Sequence, residues 1–429
     1  MIRVLHLTAH LGGGVGRALA ALVEQTEACG LLVRHEFVCF EDLEKTLFAD
    51  QIRAAGGTVD IRPDPSTLAR RMESADVVQL EFWNHPSTMG ALCALPPLEA
   101  RLLVWCHVSG LRTPVVPPRL IDLAHRFVFT SACSLESPAL RRLPSSVRER
   151  IDVVSSSGGF GHVSGLRDGP TGKLKLGYVG SLHFSKMHPH YVDWVSGIDA
   201  AVTPIRMIGD PVNQIALEAQ ARARGRPDLL EFRGYCPDVA AELRQLDVLV
   251  YLLNPKHYGT TENALLEAMA MGVVPITLDN PAERTIVRHG ETGLVVRTAE
   301  ELANAIGQLA ADPRAAARMG RAAAYDVRSR FDPVQTARRF AKIYGAVADE
   351  DRHALPFEQI FGLTAADRFR SCLSEPARFP SEGGVRLSES ETDRAALFDR
   401  TKGSAFHFHA MHPDDASLAR WVEELDAAS

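Results

Sequence analysis

Short apolar runs and amphipathic stretches take turns along the chain from residue 2 to about 345. The first half carries apolar runs at 2–9 (IRVLHLTA), 34–40, 58–63, 76–82, 101–109, 126–132 and 151–158, with helical stretches such as Val15–Cys29 between them. The runs are continuous rather than alternating, as in strands covered on both faces. Strand and helix repeating at this spacing predict a doubly wound parallel sheet. Residues 159–173 (GFGHVSGLRDGPTGK), rich in Gly, Ser and charge, read as a linker. The alternation then restarts at 173–182, 204–210, 229–235, 247–253, 273–278 and 293–296.

The expected architecture is therefore α/β, with two Rossmann-like parallel-sheet domains facing a cleft, at 1–160 and 173–330. A closing helix at 331–345 starts at Asp332-Pro333, and an extension, 346–429, packs on the body. In that extension Phe406 and Phe408 interleave with His407 and His409, which predicts a strand rather than a metal site with His412, Asp414 and Asp415. A short helix is expected to end at Trp421. Open sheets of this kind bind ligands at the C-terminal ends of their strands, so the cleft is the expected site.

Composition narrows the function. The 429 residues are 46% hydrophobic and 23% charged, enough for two cores. A net charge of −6 gives no footprint for nucleic acid. Arg clusters at 139–150 and 313–339 leave peripheral contact with the inner face of a membrane as an option. No apolar run approaches the roughly 20 residues of a membrane span, and the N-terminal run is too short for a signal peptide. The seven cysteines are scattered, without C-x-x-C spacing, and fit buried thiols in a reducing cytoplasm.

Three stretches carry candidate chemistry. LGGGVGRAL (11–19) follows the first strand and opens a helix, a seat for an anion. Arg17 stands where a dinucleotide fingerprint has its third glycine, which disfavours a nicotinamide-dependent oxidoreductase. VGSLHFSKMHPH (179–190) places Lys186 in a loop after a strand, suited to phosphate. In TENALLEAMAMGVVPI (261–276), Thr260 or Thr261 is expected to cap the helix, leaving its first amides for an anion. Asn263 and Glu267, four apart, share a face on which a carboxylate could accept two vicinal hydroxyls. The plainer alternative for Glu267 is a buried carboxylate paired with an arginine. Glu262 suits the helix dipole in the first turn. On the other side, QLEFWNHP (79–86) brings Glu81, Trp83, Asn84 and His85 to a strand end, where a sugar acceptor could stack and hydrogen-bond.

The segment 247–296, with its LEAMA-x-G-x-P string, resembles the donor-binding region of retaining GT-B glycosyltransferases, above all glycosyltransferase family 4. The glycine turn, Gly180 with Lys186, FRGY (232–235) and FDP…ARRFAKIY (331–344) frame it similarly, so the resemblance covers roughly residues 1–345. It implies a nucleoside-diphosphate-sugar donor (UDP or GDP), no cofactor and no metal. It implies an acceptor hydroxyl on a sugar, a lipid-linked molecule or a small molecule. By the same resemblance, Glu267 holds the ribose and Lys186 neutralises the diphosphate. Gly13 and Gly14 approach the phosphate, Gly234 and Tyr235 line the base, and His107 lies near the transferred sugar. Two positions depart from the pattern. Gly259 stands where the first glutamate of the family's pair is expected, and Ser181 replaces an arginine. Glu262 or Asn263 is then the candidate to replace the missing glutamate, and His183 or His188 to replace the arginine. The same departures motivate a rival reading, a catalytically inactive fold that binds nucleotide or a partner.

Overall fold

The structure, a computed structural model, describes residues 1–167, 169–170 and 172–428. The strands in chain order are β1 (Ile2–Thr8), β2 (Val33–Cys39), β3 (Thr58–Ile61), β4 (Val77–Phe82), β5 (Glu99–Ala100), β6 (Leu102–Cys106), β7 (Arg126–Phe129) and β8 (Ile151–Val153). They continue as β9 (Leu176–Val179), β10 (Ile205–Ile208), β11 (Leu230–Gly234), β12 (Val248–Tyr251), β13 (Val274–Leu278), β14 (Leu294–Val296) and β15 (His353–Ala354). Two parallel sheets result, one ordered β3-β2-β1-β4-β6-β7-β8 and the other β11-β10-β9-β12-β13-β14. In each sheet the order reverses beside the first strand, which opens a crevice at its carboxyl end. Every apolar run named above holds a strand. The central strands need continuous Val, Ile, Leu and Phe because both faces are covered, and β4 and β6 are buried at every position, whereas the edge strand β3 is largely exposed.

The helix Pro333–Ala348 starts as expected, with the Asp332 side chain accepting from the Val334 amide and Pro333 in the first turn. It returns to the first lobe, where Phe340, Tyr344 and Val347 complete one face of the sheet core. Burying a residue such as Phe340 is worth roughly 1.5–3 kcal/mol.

The extension completes the opposite face. Phe357, Phe361, Phe369, Phe408 and Trp421 join Leu80, Phe82 and Val104 in one cluster. β15 pairs antiparallel with β5. Two expectations are corrected here. Residues Ala405–Met411 form a helix, not a strand, with Ser404 accepting from the His407 amide at its start. Phe406 and Phe408 are both buried despite their two-residue spacing, because the helix is packed on more than one side. Trp421 lies inside the helix Ala416–Ala428 rather than at its end. The stretch after β8 is also more than a tether, since Phe160 and Val163 are buried in the core of the second lobe.

Among the described residues no helix is long and apolar enough to cross a membrane.

Candidate functional site

A cavity of about 810 Å³ lies between the lobes. Its walls include Gly12–Gly14, Trp83, Asn84 and His107 from the first lobe and Lys186, Thr261, Glu262 and Asn263 from the second. The glycine turn meets the helix Asn263–Ala270 closely; a Cβ on Gly14 would lie 2.6 Å from the Asn263 Nδ2. The threonines expected to cap this helix serve another purpose. Thr130, just past β7, donates its hydroxyl to Thr260 Oγ1 at 2.6 Å, and Thr261 donates to the Thr130 carbonyl at 3.1 Å. They stitch the lobes together, and Glu262 takes the N-cap position without a capping side-chain bond.

The Glu262 carboxylate instead turns into the second lobe. Lys186 Nζ lies 3.1 Å from it, and the Tyr251 hydroxyl donates to it at 2.7 Å. His257 approaches at 3.9 Å and pairs with Glu283 at 3.1 Å. Burial alone would raise the Glu262 pKa, but Lys186, His257 and the Tyr251 hydrogen bond hold it below the usual carboxylate range. Burial likewise opposes the Lys186 charge, but Glu262, Tyr258 and Glu283 together outweigh it, so the lysine pKa is raised. Gly259 explains how the carboxylate fits: a Cβ built there would overlap Glu262 Oε1.

Other residues expected at the donor are not brought together. Glu267 forms an ion pair with Arg17 from the first lobe and lies 3.0 Å from His162 Nε2. The plainer reading of a carboxylate held by an arginine is the observed arrangement. Sequence spacing could not show that the residue in the third glycine position would cross the lobe boundary. Tyr235 is exposed, under the Lys45 ammonium at 4.9 Å, and with Gly234 it lies outside the cavity walls. Gly180 has φ 145°, and Gly209 packs on its carbonyl too closely for any side chain. Ser181 uses its carbonyl to accept from the Tyr178 hydroxyl at 2.9 Å. His183 lies between Asp210 (3.8 Å) and Asp399 (3.9 Å). Burial and the neighbouring His190 push the His188 pKa down to about 4, so at neutral pH it adds no positive charge.

On the acceptor side, Trp83 and Asn84 line the cavity, but Glu81 and His85 do not. Glu81 is buried and accepts from His107 Nε2 at 2.9 Å. It also contacts His6 Nδ1 at 3.0 Å and the Gln79 amide at 2.7 Å. Glu81 lies within β4, beneath the site, whereas Trp83 follows the strand end and lines the cavity. His85 is fully buried; burial, with His407, His10 and Lys402 nearby, drops its pKa to about 2. His10, Glu41 and His85 gather potential metal-ligating atoms within 4.8 Å of one another, and Lys402 Nζ lies 2.8 Å from His10 Nε2.

The extension is the part of the site that sequence reasoning missed. Phe369, Leu373, Arg378, Leu397, Lys402 and Gly403 all line the cavity. Asn84 donates to the Gly403 carbonyl at 2.9 Å. Asp399 accepts from the Ser185 amide at 2.6 Å, in the loop that carries Lys186, and Asp393 pairs with Lys256 at 2.7 Å. The extension thus touches both lobes. The only hint in the sequence was its density of aromatic residues.

Comparison with known proteins places this geometry. Residues 173–312 match the model of the family "Glycosyl transferases group 1". Over 180 residues the chain is 25% identical to EpsD of Bacillus subtilis (strain 168), a protein assigned by name to the glycosyltransferases. That match covers 41% of this chain and less than half, 46%, of EpsD. Among solved structures, Anabaena HepE in complex with UDP and glucose aligns with a TM-score of 0.62 at 15% identity, over 81% of this chain and all of HepE. A glycosyltransferase from Rickettsia africae ESF-5 aligns at 0.60 with 13% identity, over 82% of this chain and 99% of its own. Sucrose-phosphate synthase from Thermosynechococcus elongatus aligns at 0.59 with 16% identity, over 81% and 99%. At these identities the likeness establishes the fold, two facing parallel-sheet domains of the GT-B type.

Proposed function

We propose that the protein is a glycosyltransferase that moves a sugar from a nucleoside-diphosphate sugar to an acceptor hydroxyl, with retention of anomeric configuration and without a metal. One observation carries the reading: Glu262 fills the space over Gly259, beside Lys186, in the wall of the interlobe cavity. A carboxylate and an ammonium side by side suit a sugar hydroxyl and the leaving phosphate. In this reading Glu262 replaces the glutamate missing at 259, and Lys186 meets the diphosphate when donor binding draws it from Glu262. The Gly13–Gly14 turn approaches the phosphate from the other lobe. Glu267 holds the ribose after exchanging it for Arg17. UDP is the expected nucleotide, supported by the UDP complex of HepE. The acceptor enters between Trp83 and the extension. No carboxylate is assigned to a nucleophile's place, so transfer proceeds on the front face, with the leaving phosphate assisting the acceptor hydroxyl.

Thermal-shift screening over nucleoside diphosphates and their sugars is the first test; a ligand at 100 times its Kd stabilises by about 2.7 kcal/mol. Product anomer determination by NMR then decides the stereochemistry, and inversion overturns the front-face route. Turnover lost on chelation overturns metal independence.

A second reading, a nucleotide-binding subunit without turnover, draws on one observation. Lys186 and Glu267 are already engaged by Glu262 and Arg17. Nucleotide binding without transfer or hydrolysis of any nucleotide sugar would favour it.

A further inference from the structure

We infer that Glu81, backed by His6 and His35, is a positioning residue that fixes His107 with its proton on Nε2 and leaves Nδ1, at the edge of the cleft, as a bare acceptor. The inference deepens the transferase reading and rests on it only for the identity of the group His107 meets.

The chain of contacts runs under the sheet. His107 Nε2 is 2.9 Å from Glu81 Oε2. Glu81 Oε1 is 3.0 Å from His6 Nδ1, and His6 Nε2 is 2.8 Å from His35 Nδ1. His35 Nε2 ends the chain at 3.1 Å from the Thr26 hydroxyl. Burial opposes the charge on Glu81, yet the hydrogen bonds from His107 and His6 keep its pKa below the usual range. An ionised carboxylate is acceptor-only, so every group touching it must donate. The Gln79 amide is oriented to do so, because its oxygen accepts from the Tyr344 hydroxyl at 2.7 Å. With Nδ1 of His6 donating to Glu81, its Nε2 accepts from His35, whose own Nε2 accepts from Thr26. Each ring then carries one proton and each contact has one donor.

His107 must therefore hold its proton on Nε2. Its Nδ1 is buried without a hydrogen-bond partner among the described residues, in a residue that borders the cavity. Trp105, at 4.9 Å between ring centroids, and Trp83, at 6.1 Å, flank the ring. A nitrogen of this polarity accepts from a hydroxyl and rejects a group that has only lone pairs to offer. Its complement is a sugar O–H.

The substitution Glu81→Gln tests the polarity directly. Two donors face the Oε1 position and one faces Oε2. The amide oxygen will settle at Oε1 and its NH₂ will face His107, which must then move its proton to Nδ1. Long-range ¹H–¹⁵N spectra of the full-length, ¹⁵N-histidine-labelled protein read this, with His107→Gln identifying the signals. The wild type should show a protonated Nε2 and a bare Nδ1 at pH 7.5, and Glu81→Gln the reverse. A wild-type His107 with a protonated Nδ1 overturns the inference without need of any variant, and so does a folded Glu81→Gln protein with an unchanged tautomer. In transfer assays the wild type should prefer hydroxyl-bearing donor sugars over their deoxyfluoro analogues, as fluorine cannot donate. Glu81→Gln should erase about tenfold or more of that preference in kcat/KM. A preference retained in full counts against it. Absence of transfer with every nucleotide sugar would count against the transferase reading, leaving the nitrogen shifts to judge the positioning.

Discussion

The carboxylate of Glu262 occupies the space that a side chain on Gly259 would need, and it does so within 3.1 Å of the Lys186 ammonium. The glycine is therefore a structural requirement of the glutamate three residues later. Gly259→Ala should push Glu262 off Lys186 and lower turnover about tenfold or more, while the fold survives. Exchanging the two residues, Gly259→Glu with Glu262→Gly, should recover part of the loss. Steady-state kinetics on both variants check this, and unchanged turnover in Gly259→Ala would falsify the packing argument.

Glu262→Gln separates charge from shape. It leaves Lys186 beside a neutral amide in a largely buried place. Removing one partner of a buried pair costs roughly 3–5 kcal/mol, and the partial exposure of Lys186 puts this case at the lower end. The expected result is a lower denaturant midpoint with an unchanged slope.

Arg17 and Glu267 form a bridge across the lobes, so the two substitutions should act in opposite directions on the nucleotide. Glu267→Ala should weaken binding of a nucleoside diphosphate by about tenfold, ~1.4 kcal/mol, if this carboxylate receives the ribose. Arg17→Ala frees the same carboxylate and should tighten binding severalfold. Calorimetric titration decides it; equal, negligible effects would remove Glu267 from the donor site.

Buried neutral histidines should make the protein acid-labile. Burial lowers the pKa of His35 well below its ordinary value, and with nearby charges sets His85 at about 2 and His188 at about 4. The folded form thus binds fewer protons than the unfolded chain below about pH 6.5, and stability falls as pH falls. Each such group adds up to about 1.4 kcal/mol per pH unit until its folded pKa is reached. His257 acts oppositely. Burial would lower its pKa, but Glu283 and Glu262 raise it, so its contribution is present below the ordinary histidine value and is lost as pH rises through the raised one. His10, His125, His407 and His412 are depressed as well, chiefly by burial, so among the described residues seven depressed histidines stand against one raised, and melting temperature should drop on going from pH 7 to pH 5. His85→Gln should flatten that slope.

Trp421 tests whether the extension is integral. It is fully buried, with Phe379 at 5.3 Å and Phe369 at 6.1 Å between ring centroids. Trp421→Ala should cost roughly 3–5 kcal/mol in chemical denaturation. A change under about 0.5 kcal/mol would mean that the extension is only loosely docked.

Legibility in the sequence followed the range of the forces involved. The sheets were readable because a buried parallel strand is a local apolar run, and each such run became a strand. The helix at Ala405–Met411 was misread because two phenylalanines two apart look like a strand when their neighbours in space are unknown. Glu262, Lys186 and Asn263 were each legible as cleft residues because they sit at strand ends or helix starts of one lobe, but the face shared by Asn263 and Glu267 did not reveal that Arg17 engages Glu267. Arg17 with Glu267, Glu81 beneath His107, and Asp399 on the Ser185 amide were not. Each joins residues far apart in the chain, and periodicity carries no information about such partners.

The extension has one mechanical consequence. Through Gly403 it holds the acceptor side of the first lobe, and through Asp399 it grips the loop bearing Lys186 in the second. Parting the lobes must strain one of these two grips. Opening of the cleft is therefore coupled to movement of the C-terminal chain, which on the proposed transferase reading would tie product release to the extension.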